Sequence, residues 1–136
     1  MKRKSKVGPM RITMRTHLGM MTDKIVVLVT CGTEKEARRI GRSLIERRLA
    51  ACVNLFTVPV RSIYRWKEKV ESVEEILMMI KTSRKRFQAV AGEVKRLHSY
   101  DVPEIIVLPI WAGSMEYLDW ISESVSEGGA RKRKRR

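Results

Sequence analysis

Between Ala50 and Thr82 the chain shows no helical period, and it divides into two extended arms about a charged turn, Trp66-Lys67-Glu68-Lys69. The first arm alternates: Val60, Ser62, Tyr64 and Trp66 fall on one side, Arg61, Ile63 and Arg65 on the other. That is the two-residue period of a strand. The second arm ends in Ile76-Leu77-Met78-Met79-Ile80-Lys81, apolar on both faces. An arm of about 13 residues spans roughly 43 Å at about 3.3 Å per residue, against about 17–20 Å for an ordinary strand. Such a hairpin must overhang its own domain. Pro59, which cannot donate to a ladder, is predicted to mark a bulge or an edge.

The flanking segments supply the rest of a domain. Ile25 to Val29 is an unbroken β-branched and apolar run closed by Gly32, the mark of a strand. Thr33 followed by Glu36 has the spacing of a capping box. The helix it opens carries Ala37, Ile40, Gly41, Leu44, Ile45 and Leu49 on one stripe and Arg38, Arg39, Arg42 and Arg47 outside it. Ser83 is predicted to cap a second helix, with Phe87, Val90, Ala91, Val94 and Leu97 inward. Pro103 disfavours a helical Val102 and so fixes a corner, after which Pro103 to Trp111 is predicted as an apolar strand. A last helix begins near Ser114, with Met115, Leu118, Ile121 and Val125 on one face.

The order strand, helix, strand, strand, helix, strand is the split βαβ pattern. The fold class is therefore α+β: a ferredoxin-like (βαββαβ) sandwich with an extended β-hairpin and an added C-terminal helix. With 136 residues and 43% hydrophobic content one core suffices. The formal charge of +14 lies at the ends. Residues 1–22 hold six basic residues and no acid, and Arg131 to Arg136 hold six more, which leaves 17 basic against 15 acidic residues over 23–130. The expected organisation is a basic, disordered extension over 1–22, the domain over 23–127 and a basic, disordered tail over 128–136. Basic tails attract polyanions in a salt-dependent way without specifying a sequence, so no specific nucleic-acid partner is expected. No run of about 18 apolar residues occurs, so no membrane span is predicted, and the first 22 residues lack a secretory apolar core. A cytoplasmic protein with Cys31 and Cys52 as reduced thiols is the expectation.

A sandwich with its main helices on one sheet face leaves the other face open, and a face turned to water should alternate. Ile25 to Val29, Ile76 to Ile80 and Ile105 to Leu108 do not alternate. Together with the overlong hairpin, this predicts association with further copies of the chain.

Five motifs in order, AACVN (Ala50 to Asn54), YRWKEKV (Tyr64 to Val70), ILMMIKT (Ile76 to Thr82), HSYDVPE (His98 to Glu104) and YLDW (Tyr117 to Trp120), resemble the CutA divalent-cation tolerance family. The resemblance covers about residues 24–125. It implies a ferredoxin-like subunit in a homotrimer, with hairpins exchanged between neighbours and a topology similar to the PII signalling trimers. It also implies a part in tolerance of divalent cations, copper in particular, no enzymatic activity, and polar and aromatic residues gathered in clefts between subunits. Three departures stand out. Glu68 replaces the glycine usual at the hairpin tip, Ser114 stands where many members have asparagine, and Val29 occupies the place where some carry a cysteine, with Cys31 two residues later.

Candidate residues follow from both readings. His98 lies at a helix C-terminus, where the dipole favours an imidazolium. It is either a surface or capping histidine, or a metal ligand. Asp101 is predicted as a turn residue. Glu104 and Lys81, at the ends of strands predicted to be buried, need partners. They form either an ion pair or, with Tyr100, Trp66 and Lys69, a polar pocket for a small ligand. Tyr64 and Trp66 are interface anchors or a ligand platform, and Trp120 joins the cleft set through its motif. Cys52 is a packed residue or a copper thiol. His98 and Glu104 are the metal candidates, for copper or another divalent cation held weakly. A signalling or scaffold trimer binding a small anion in the intersubunit cleft through Lys81, Lys69 and Tyr100 is the alternative. No catalytic motif is present.

Overall fold

The computed structural model describes residues 12–14 and 22–127. Its elements are β1 (Ile12–Met14), β2 (Lys24–Cys31), α1 (Glu34–Glu46), β3 (Cys52–Trp66), β4 (Lys69–Ser83), α2 (Phe87–Leu97), β5 (Ile106–Pro109), β6 (Ala112–Ser114) and α3 (Met115–Val125). A four-stranded antiparallel sheet has the order β3-β4-β2-β5, so the two strands that begin and end the βαββαβ unit lie side by side.

One face of this sheet makes the core. In β2 the odd positions Ile25, Val27, Val29 and Cys31 are buried, and in β4 the even positions Ile76, Met78 and Ile80. Against them pack Ala37, Ile40 and Leu44 of α1 and Val90 and Val94 of α2. Helix α1 starts where the sequence places it, with the Thr33 hydroxyl accepting from the Glu36 N–H at 3.2 Å. Gly41 lets α1 lie close to β3, since a Cβ there would stand 3.3 Å from a Val53 methyl. The helix ends at Glu46, just before Arg48 in a left-handed conformation (φ 58°), and Ile45, within it, is 41% exposed rather than joining the buried stripe. Ser83 does not cap α2. A single 3-10 turn, Arg84–Arg86, intervenes, its first N–H bonded to the Asp23 carbonyl, and the Ser83 side chain makes no capping bond.

The hairpin is longer than expected, each strand running 15 residues, or roughly 50 Å at about 3.3 Å per residue. β4 pairs with β2 only from Ile76 to Ser83, so Lys69 to Glu75 has β3 as its only strand partner and projects beyond the sheet. Pro59 lies in an irregularity where residues 57–59 oppose Ile76 alone. At the tip Lys67 (φ 48°) and Glu68 (φ 71°) are both left-handed, the two-residue turn that suits strand twist but favours glycine or asparagine.

The second face carries Val26, Leu28, Leu77 and Met79, with Ile106 and Leu108 left 46% and 48% exposed. The Lys81 ammonium, on the same face, lies 5.7 Å from the Tyr117 ring centre, so α3 reaches this side of the sheet and covers it only in part. Part of the N-terminal extension, expected to lack structure, forms β1 and pairs antiparallel with β6, Ile12 opposite Ser114 and Met14 opposite Ala112. The other residues of the two basic ends lie outside the described residues. Among the described residues no helix is long and apolar enough to cross a membrane.

Candidate functional site

β5 is shorter than its apolar run suggested. It pairs with β2 only from Ile25 to Leu28, leaving residues 98–105 to arch past the end of β2. This arch brings the HSYDVPE segment against Thr30 and Cys31. His98 ends α2, its backbone N–H bonded to the Val94 carbonyl, and its side chain is 0% exposed, so it is neither on the surface nor free to cap the helix with its ring. The ring Nε2 lies 2.8 Å from the Thr30 carbonyl, which can only accept, and Nδ1 accepts from the Tyr100 N–H at 3.0 Å. These partners assign the neutral tautomer with its proton on Nε2.

Two further donors meet this ring. Cys31 Sγ lies 3.7 Å from Nε2, and Glu36 Oε1 lies 3.3 Å from Nδ1. One donor atom each from Cys31, Glu36 and His98 falls within 4.8 Å of the others. Glu36 thus leaves its capping box half-made. Its N–H bonds Thr33, but its carboxylate reaches toward His98 and the Ser99 N–H. Burial first, and then the charges of Glu36 and Glu75, push the Cys31 thiol up to about 12, so it is protonated at rest. A cation fits this set on two conditions: the thiol must lose its proton, and His98 must shift its proton from Nε2 to Nδ1, exchanging its bonds with the Thr30 carbonyl and the Tyr100 N–H for one donated to Glu36.

Beside the cluster runs a groove of 790 Å³ between the overhanging hairpin and the arch. Its walls include Tyr64, Trp66, Glu75, Tyr100 and Glu104, and its floor reaches Thr30. The Tyr100 ring tilts against His98 with centres 4.7 Å apart, so it separates groove from cluster. Its hydroxyl donates to Glu75 Oε2 at 2.9 Å. Burial, then the Glu75 carboxylate, raises the Tyr100 hydroxyl and the Glu104 carboxyl above their ordinary ranges. The groove therefore has a negative, aromatic character.

The sequence candidates divide accordingly. Tyr64, Trp66, Tyr100 and Glu104 share the groove, with Asp101 at its rim. Glu104 is exposed and precedes β5 rather than beginning a buried strand. His98 belongs to the adjoining cluster, whose acid is Glu36. Lys81, Tyr117 and Trp120 make a separate group, the two rings 5.4 Å apart. Lys69 sits at the hairpin tip opposite Trp66. Cys52, half-buried, and Cys31 are both free thiols. Sequence reasoning missed Glu36, taken only as a cap residue, and Glu75, a charged residue that strand alternation alone could have flagged as sharing a face with Leu77.

Comparison with known proteins assigns the ancestry. Residues 25–124 match the family described as CutA1 divalent ion tolerance protein. The divalent-cation tolerance protein CutA of Thermus thermophilus is 49% identical over 100 residues, spanning 73% of this chain and 95% of that one. Protein CutA of Homo sapiens is 47% identical over 102 residues, and the match spans 56% of its length. Among solved structures, the periplasmic divalent cation tolerance protein CutA from Archaeoglobus fulgidus superimposes with a TM-score of 0.73 at 42% identity, covering 76% of this chain and 99% of that one. CutA1 from Oryza sativa gives 0.74 at 41% identity, covering 76% and 94%. Matched over residues 25–124, and identical at 49% of the 100 positions aligned with the bacterial relative, the chain belongs to the CutA1 divalent ion tolerance family.

Proposed function

We propose that this protein acts in metal-ion homeostasis as a cytoplasmic homotrimer, without enzymatic activity, binding copper or another divalent cation weakly at His98. The observation that carries the reading is the convergence of the Cys31, Glu36 and His98 donors within 4.8 Å. Imidazole and thiolate suit copper among the first-row ions. Glu104 and Glu75 add negative charge along the adjoining groove, which favours arrival of a cation. Weakness follows from the proton that Cys31 must release and from the Thr30 bond that His98 must give up.

The alternative, a PII-like signalling or scaffold trimer taking a small anion, draws less support. The groove is lined by three carboxylates, Glu75, Asp101 and Glu104, whereas Lys69 stands at the hairpin tip and Lys81 over Tyr117. Assembly is supported by the half-exposed Ile106 and Leu108 and by the unsupported hairpin end with Ile63 at 69% exposure. A cytoplasmic setting is supported by two unbridged cysteines. Calorimetric titration of the full chain with copper(II) tests the proposal. Binding is expected in the parent protein and its loss in His98→Ala. Absence of binding, or binding indifferent to that substitution, overturns it.

A further inference from the structure

The Cys31 sulfur has a second soft neighbour. Met78 of β4 is fully buried, and its thioether Sδ lies 3.5 Å from Cys31 Sγ, which in turn lies 3.7 Å from His98 Nε2. Thiol, thioether and imidazole therefore meet inside the core, while the carboxylate of Glu36 stands on the far side of the imidazole ring at Nδ1.

We propose that Cys31, Met78 and His98 form a copper(I) site of two sulfurs and one nitrogen, with Glu36 as the residue that orients the histidine. The inference rests on the reading of His98 as a metal ligand and names the oxidation state and the ligands that serve it.

Three arguments carry it. The first is geometric. With metal–sulfur bonds of about 2.3 Å and a metal–nitrogen bond of about 2.0 Å, an angle of about 120° spans ~3.7 Å between sulfur and nitrogen, and an angle of about 100° spans ~3.5 Å between two sulfurs. The resting Cys31–Met78 and Cys31–His98 separations match these spans, so the thiol needs little movement toward either partner. The second is softness. Thiolate and thioether select copper(I) over hard divalent ions, and a methionine ligand is of little use to the latter.

The third is charge. Cys31 and Met78 are wholly buried, and a divalent ion on a single thiolate would carry one net positive charge there, met only by the Glu36 carboxylate behind His98. A monovalent ion on one thiolate is neutral. The exchange balances: the thiol gives its proton to solvent, its sulfur takes the monovalent ion, and His98 moves its own proton from Nε2 to Nδ1, giving up the Thr30 carbonyl and the Tyr100 N–H and donating to the Glu36 carboxylate instead. A carboxylate behind a ligating histidine is the arrangement that fixes such rings in metal sites. The Tyr100 ring, between His98 and the acidic groove, places the pocket beside a path along which cations concentrate.

The test is anaerobic competition of the full chain for copper(I) against a chromogenic copper(I) chelator, with X-ray absorption on the loaded protein. One tightly held ion per chain is expected, with two sulfurs and one nitrogen in its shell. Affinity should fall in Cys31→Ala and in Met78→Leu by at least the about 10–100-fold that even supporting residues cost, and by about that much in Glu36→Gln. Cys52→Ser should leave it unchanged. Met78→Leu conserves volume, so it decides the matter if Cys31→Ala fails to fold. Copper(I) affinity indifferent to Met78→Leu, or a shell without two sulfurs, overturns the proposal. If copper(II) binding is lost in His98→Ala while copper(I) affinity ignores Met78→Leu, this inference alone falls. If copper(II) does not bind and copper(I) does as described, the divalent reading alone falls.

Discussion

The hydroxyl of Tyr100 donates a 2.9 Å hydrogen bond to Glu75, a carboxylate of the overhanging hairpin that is only 6% exposed. The bond ties the arch after α2 to β4 and satisfies an acid that burial would otherwise penalise. Tyr100→Phe removes the donor and keeps the ring against His98. The expected cost is about 1–3 kcal/mol in urea unfolding, the range for stranding a buried acceptor. The double variant Tyr100→Phe with Glu75→Gln should cost less than the sum of the two single changes. Strict additivity would show that the bond contributes nothing.

Glu93 of α2 gives the fold an acid-sensitive seam. Hydrogen bonds from Arg96 and Ser43, with Arg47 nearby, hold its carboxyl down at about 2, against 4.5 in the unfolded chain. The folded protein therefore binds this proton less readily than the unfolded chain, and the contribution is complete above about pH 4.5. It is lost as pH falls through the window down to about 2. Because Arg47 and Arg96 are themselves more than half exposed, it is on the order of 1 kcal/mol after screening. In Glu93→Gln, chemical denaturation at pH 7 and at pH 3 should differ by that much less than in the parent. An unchanged pH dependence would refute the seam.

How far the sequence carried the fold is seen element by element. The hairpin, the two main helices and the bare sheet face follow from periods of 2 and 3.6, because periodicity reports which side of an element is buried. The end of α1 was misplaced since Arg48 adopts a left-handed conformation that sequence assigns to glycine or asparagine. The site was legible only in pieces. His98, Tyr100 and Glu104 stand in one motif, but their partners Glu36, Glu75 and Met78 come from other elements, and which of them meet depends on where β5 stops pairing with β2. Register at a strand end is set by tertiary packing and leaves no local mark.

The hairpin tip offers a stabilising change. Glu68 is held at φ 71°, where a side chain is strained and glycine is not. Glu68→Gly should raise stability by about 0.5–1 kcal/mol, the strain relieved outweighing the entropy glycine adds to the unfolded chain. The melting temperature of the protein reports it. A fall would mean that the Glu68 side chain makes compensating contacts with another copy.

The bare face gives the test of assembly. Ile106 and Leu108 of β5 are half-exposed beside Leu28 and Val26, an apolar strip too continuous to be left to water. Leu108 lies on the side opposite the core, so Leu108→Glu leaves α1 and α2 packed as before. In the free subunit it should cost less than about 1 kcal/mol. In an assembly it would bury an unpaired carboxylate, which costs several kcal/mol at each contact. Sedimentation at micromolar concentration should show a trimer in the parent and dissociated, still folded chains in Leu108→Glu. A trimer that tolerates the glutamate places the contact elsewhere, on the projecting end of the hairpin around Ile63 and Val70.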